Sequence, residues 1–254
     1  MTSLEVVPLR GLPLIRAGDD LVDLIASALK LNGVTLRAQD VLVVAQKIVS
    51  KAEGRVVDLA TIEPSAQAVA LAADVDKDPR LVEVILSESV RVIRARRGVL
   101  IVEHRLGVIM ANAGVDQSNV APADGVHRVL LLPKNPDRSA ETLRRGLAAV
   151  TGMDVAVIIN DSFGRPWRQG TVGVAIGVGG LPALIDLRGR PDLFGRRLEV
   201  SVIGFADEVA AAASLVMGQA DEGLPAVLVR GLSWSAPEST AASIIRSPNE
   251  DLFR

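Results

Sequence analysis

Apolar residues recur along the chain in short, β-branched runs: Glu5–Leu9, Val41–Val49, Gly98–Glu103, Gly107–Ala111, Val129–Leu132, Val155–Ile159, Val172–Val178, Leu198–Phe205 and Ala226–Val229. Runs of this length and composition predict strands. In Leu198–Phe205 the residues Leu198, Val200 and Val202 alternate with Glu199 and Ser201, which predicts a strand with one face in water. The run at Val155–Ile159 is apolar throughout and predicts a strand buried on both faces. Helical spacing appears between the runs. Asp78-Pro79 reads as a cap and first turn, followed by Val82, Ile85 and Leu86 on one face. Ser139–Val150 sets Leu143, Leu147 and Val150 in a stripe beside Arg144 and Arg145. Asp207–Met217 opens with acids, keeps Val209, Ala213 and Val216 in register, and stops at Gly218. Helices and hairpin-like strand pairs do not alternate strictly. The expected class is therefore α+β, with mixed, largely antiparallel sheets rather than a doubly wound one.

Composition narrows the function. A chain of 254 residues can bury a substantial core, as one large domain or two small ones. The net charge of −2 gives no general basic field, and aromatic residues at 2% without tyrosine cannot build stacking platforms, so no nucleic-acid partner is expected. Cysteine is absent, which removes disulfides, zinc–thiolate sites and thiol nucleophiles together. The N-terminal stretch lacks the marks of a signal peptide, and no apolar run approaches the ~18 residues of a membrane span, so a cytoplasmic protein without a membrane partner is expected. Gly-Leu-Pro occurs at residues 11, 180 and 223 at unequal spacing, as turn punctuation rather than a repeat.

There is no P-loop, and Gly177–Pro182 is only a fragment of a dinucleotide fingerprint. His104 and His127 lack metal-pair spacing and read as structural or surface histidines; Arg91, Arg94, Arg96 and Arg97 read as a solvated strand edge. Any metal must then be hard and oxygen-bound, magnesium or manganese. Four segments could carry such chemistry. Val157–Gly170 leaves an apolar run through Asn160, Asp161 and Ser162, with Arg165 and Arg168 following in a form suited to phosphate. Ala111–Val120 holds Asp116, Ser118 and Asn119. Two such exits could hold a divalent cation between them; each could equally be an Asx-rich turn. Val43–Arg55 clusters Gln46, Lys47, Ser50, Lys51 and Arg55, either a triphosphate site or a solvated basic face. Val216–Pro225 offers Gln219, Asp221 and Glu222 in a glycine-rich loop after a helix, which could also be a simple C-cap. On these residues alone a metal-dependent phosphohydrolase and a non-catalytic nucleotide-binding module stay open beside a nucleotide-dependent ligase.

In order, the segments SKAEGR, ANAGVDQSNV, DSFGR and AVLVRG, together with GLPLI near the start and VMG before the last loop, resemble the coenzyme F420-0:L-glutamate ligase family over nearly the whole chain. The resemblance implies a two-part α+β fold and a homodimer. Residues 1–254 are then a single catalytic unit of two interleaved subdomains, without the C-terminal flavin-binding domain of some relatives. It implies a GTP-dependent amide ligase that adds L-glutamate, then γ-linked glutamates, to the phospholactyl arm of a deazaflavin coenzyme F420 precursor through an acyl phosphate. Carried over by position, Asp116, Asp161, Ser162 and Gln219 become ligands for Mg²⁺ or Mn²⁺, with K⁺ a further candidate cation. Leu12, Pro13, Leu14, Ile15, Gln46, Lys47, Lys51 and Asn119 become nucleotide contacts, with Met217, Gly218, Gln219 and Gly223 in the closing loop. Asp116, Asp161, Lys51 and Arg165 are the expected catalytic residues. The chain departs from the family in carrying Asn160-Asp161-Ser162 for Thr-Asp-Thr, and Gln46-Lys47 where archaeal members often carry small hydroxyl residues.

Overall fold

The computed structural model describes residues 3–118 and 127–252. From the N-terminus the elements are β1 (Glu5–Pro8), α1 (Leu21–Leu31), β2 (Val41–Ala45), α2 (Gln46–Ala52) and β3 (Val56–Asp58). There follow α3 (Ala66–Val75), α4 (Pro79–Ser87), β4 (Ser89–Arg96), β5 (Val99–His104), β6 (Ile109–Ala111) and β7 (Arg128–Leu130). The chain continues with α5 (Pro136–Thr151), β8 (Ala156–Arg165), β9 (Arg168–Gly179), β10 (Ile185–Asp186), β11 (Val202–Ile203), α6 (Phe205–Met217) and β12 (Ala226–Arg230).

The main sheet has the order β1-β12-β2-β8-β9, and only the central β2–β8 pair is parallel. That is the mixed α+β class the sequence predicts. Alternation along the central strands feeds two cores. Leu42, Val44, Val157 and Ile159 meet α1 and α5 on one face, while Val41, Val43, Ala156 and Ile158 meet α6 on the other. The uniformly apolar Val155–Ile159 is thereby buried on both sides. A third core, with Leu59, Ile85, Leu100 and Val102 at its centre, joins α3 and α4 to the β4–β5–β6 sheet. The two-stranded β3–β7 ladder runs beside it, and Val57 and Val129 reach into that core.

Three expectations need correction. The run Val41–Val49 is a strand only as far as Ala45; from Gln46 it is α2, because Ile48 and Val49 reach the same core from a helix. Leu198–Phe205 is not a half-buried strand. Only Val202 and Ile203 pair, with β10, and Val200 is 85% exposed while Phe205 already opens α6. Alternation alone could not show that no larger sheet lies beside this run. Finally, Asn160–Arg165 does not leave the sheet: β8 continues through it in a hairpin with β9, with an irregular register between Ile159 and Asn160. The helices α1 and α3, capped by Asp20 and Ser65, were not marked by the periodicity read above. His104 is wholly buried, and His127 is exposed. No helix among the described residues is long and apolar enough to cross a membrane.

Candidate active site

The sheet places β2 and β8 side by side with the same polarity, so the first residues past β2 and the late residues of β8 share one end. A cavity of about 380 Å³ opens there, a volume suited to a small-molecule site. Its walls are residues 12–15, the start of α2 with Lys51, residues 160–162 of β8, and the segment 217–225 between α6 and β12. Leu12, Pro13, Leu14, Ile15, Gln46, Lys47, Lys51, Asp161, Ser162, Met217, Gly218, Gln219 and Gly223 all line it. Two of the three Gly-Leu-Pro turns flank this cavity; the middle copy does not.

Asp116 comes from the segment that follows β6. The turn after β6 passes through Asn112, Ala113 and Gly114 with φ of 53°, 52° and 65°. Asparagine and glycine tolerate the left-handed region, whereas alanine there costs about 1–2 kcal/mol. At Gly114 a side chain would also collide with Leu132. This turn delivers Asp116 to a two-way backbone bridge with Leu130. Its carboxylate then accepts the Ser118 amide at 2.7 Å and the Ser118 hydroxyl at 2.9 Å, and pairs with Lys47 Nζ at 2.5 Å. Burial alone would raise its pKa, but Lys47 and Ser118 outweigh it and hold the carboxyl below its ordinary value. Asn119, an expected nucleotide contact, lies outside the described residues.

Asp161 has the opposite bias. Burial pushes its carboxyl above the usual range and the nearby Asp116 charge adds to this, against the Ser162 amide, Lys47 and Gln46. The buried Gln46 accepts the Ser50 hydroxyl at 3.0 Å on its Oε1, which leaves its amide group to donate to Asp161. Burial likewise lowers the Lys51 pKa, with a contribution from Lys47 one helical turn away. Lys47 thus acts on both carboxylates, and Lys51 lines the same half-desolvated cleft. Among the described residues no three carboxylate or histidine side chains converge, so a cation here would draw on two carboxylates, the Ser162 hydroxyl and the Gln219 amide oxygen. That all-oxygen set fits magnesium or manganese, and the Lys47 ammonium already marks the place as one that attracts positive charge.

Arg165 is not brought into this cavity. It lies at the far end of the hairpin, where its guanidinium donates to the Gly170 carbonyl at 3.2 Å. Continuation of β8 as a strand carries it four residues beyond Asp161, about 13 Å along the strand.

The sequence did not indicate how the wall formed by α6 is fixed. Asn160 donates from Nδ2 to Ser214 Oγ at 3.1 Å and to Met217 Sδ at 3.6 Å, which anchors the helix end that precedes the loop between α6 and β12. At the other end of α6, Asp207 accepts the Ala175 amide at 2.9 Å, beside the register irregularity of β8 and β9. The loop itself turns back at Gly218, with φ 74°, where a side chain would collide with the Glu222 carboxylate. Glu222 in turn accepts the Ala220 amide at 2.8 Å.

The chain is similar to known proteins over nearly its whole length. Residues 11–231 match the family model described as F420-0:Gamma-glutamyl ligase. A protein of Methanothermobacter thermautotrophicus named coenzyme F420:L-glutamate ligase is 47% identical over 99% of both chains. Its namesakes in Methanopyrus kandleri and Archaeoglobus fulgidus are 49% and 45% identical, over 99% and 98% of this chain and 97% and 96% of theirs. With the match running through every wall of the cavity, the chain belongs to the F420-0:gamma-glutamyl ligase family.

Proposed function

We propose that this chain is a coenzyme F420:L-glutamate ligase that uses GTP to join L-glutamate to the phospholactyl carboxylate of the deazaflavin precursor, and then adds γ-linked glutamates. The observation that carries this reading is Lys47 on the cavity wall, paired with Asp116 and acting on Asp161, with Lys51 one helical turn further along the same wall. A free carboxylate is a poor acylating group, so it must first gain a leaving group. Its oxygen attacks the γ-phosphorus of GTP, the bond to GDP breaks, and an acyl phosphate forms. The glutamate amine then attacks the carbonyl carbon, the bond to phosphate breaks, and the amine loses a proton as the amide forms. Both reactants of the first step are anions, and Lys47 and Lys51 lower their repulsion. Asp116, Asp161, Ser162 and Gln219 would hold Mg²⁺ or Mn²⁺, which when bound neutralises phosphate charge and aligns the two oxygens. No covalent link to the protein is needed.

Purified protein with GTP, Mg²⁺, L-glutamate and the F420 precursor is expected to release GDP only when glutamate and precursor are both present. Product mass is expected to rise by one or more glutamyl units. Phosphate release without glutamate, or no release at all, would sink the proposal.

We also assign a homodimer. Leu193 and Phe194, 98% and 96% exposed, project on one loop, and Trp167 is 87% exposed on the β8–β9 turn. Apolar side chains this exposed suit a second copy of the chain. Light scattering is expected to give twice the chain mass, and Phe194→Asp to return it to the mass of one chain; a wild-type monomer at micromolar concentration refutes the assignment.

A further inference from the structure

We infer that Lys47 is a resident counter-ion of the acidic pair, which a divalent cation must displace, and which is thereby released toward the nucleotide phosphates. The inference rests on the reading of Asp116 and Asp161 as the cation ligands. Lys47 Nζ lies 2.5 Å from Asp116 Oδ2, and each side chain is about three-tenths exposed, so the pair is neither fully solvated nor sealed. The same ammonium acts on Asp161. One lysine thus offsets the charge of both carboxylates that a cation would use.

A divalent cation bound by the two aspartates meets in the Lys47 ammonium a like charge that competes for the same carboxylates. At ~4 Å the repulsion between like charges in a half-buried cleft greatly exceeds its value in water. The cation therefore competes with Lys47, and the flexible side chain must swing away. It belongs to α2, one turn before Lys51, and both lysines line the cavity. Released from Asp116, Lys47 adds a second positive charge to the wall that carries Lys51. That arrangement is unfavourable for an empty cavity and favourable for one holding a polyphosphate. Cation binding and nucleotide binding then assist one another, reciprocally, through a single side chain.

The test is a titration of nucleotide-free protein with Mn²⁺ alone, following the free-ion electron paramagnetic resonance signal. Lys47→Met and, as a second neutral variant, Lys47→Gln are expected to bind Mn²⁺ about tenfold more tightly than wild type, the factor for removing a competitor worth one decade. Lys47→Arg keeps the charge and is expected to bind as wild type does. Neutral variants that fold and bind Mn²⁺ no more tightly than wild type overturn the inference. Adding Asp161→Asn to each protein separates this from the site reading. If Mn²⁺ binding survives that change, the cation lies elsewhere and both fail. If binding is lost with Asp161→Asn yet is indifferent to Lys47, only the inference fails.

Discussion

Asp161→Asn is expected to lower glutamate ligation about a thousandfold while leaving the protein folded, the scale seen when a preorganised electrostatic group is removed from a reaction centre. Asparagine keeps the shape and one oxygen but loses the charge that a cation needs. The substitution also has a sign in stability. Burial raises the Asp161 pKa above its ordinary value, so its charged form is the less favourable one in the folded protein. Such a group stabilises the fold most below its unfolded pKa and loses that contribution as pH rises. Without metal at neutral pH, the neutral variant is therefore expected to melt higher than wild type. Ordinary thermal denaturation and steady-state rates measure both. Near-normal turnover removes Asp161 from the reaction; a lowered melting temperature shows that it serves the fold instead.

The opposed directions of Asp116 and Asp161 were not legible in the sequence, although both residues were. Each aspartate stood out as a short-range pattern, Asn-Asp-Ser after an apolar run and Val-Asp-Gln-Ser after a glycine turn. Their environments are long-range facts. Lys47 reaches Asp116 across the interval between α2 and a turn nearly seventy residues later, and nothing in either segment announces the pairing. Central strands were read well because burial on both faces leaves a continuous apolar signature at Val155–Ile159 and Ala226–Val229. The same signature misled at Ile48 and Val49, which a helix buries as effectively as a strand. Arg165 failed for a related reason. A loop was inferred where polar residues began, yet Val172 and Val174 continue the pairing of β9 and carry the arginine away from the cavity. Asn160 became intelligible only once α6 was seen to end against it.

Glu88→Gln is expected to be strongly destabilising although it lies outside the apolar cores. Glu88 is buried, yet its pKa falls to about 2. Burial opposes that fall and is outweighed by the His104 imidazole and the guanidiniums of Arg55 and Arg105. Arg55 Nη2 and Arg105 Nε donate to its Oε2 at 2.8 and 3.0 Å, while His104 Nε2 stands 3.5 Å away. The Leu106 amide donates to His104 Nδ1, which leaves Nε2 as the ring nitrogen that faces Glu88. A fall from 4.5 to about 2 corresponds to about 3 kcal/mol. The sign follows from the lowered pKa: the contribution is complete above the ordinary carboxylate range and is lost as pH falls toward 2. Wild type is therefore expected to melt roughly 6–10 °C above Glu88→Gln at pH 7, with the gap closing progressively below about pH 4.5. Melting curves that stay parallel from pH 7 to pH 3 refute the ionic role. The loss should also reach the active site, because Arg55 does more than meet Glu88. Its Nε donates to the Leu132 carbonyl, its own carbonyl accepts the Leu131 amide, and its amide closes the end of α2 on Ser50. Leu130, next in that segment, holds the backbone of Asp116. One buried carboxylate thus braces the arginine that ties the helix carrying Lys47 and Lys51 to the segment holding Asp116.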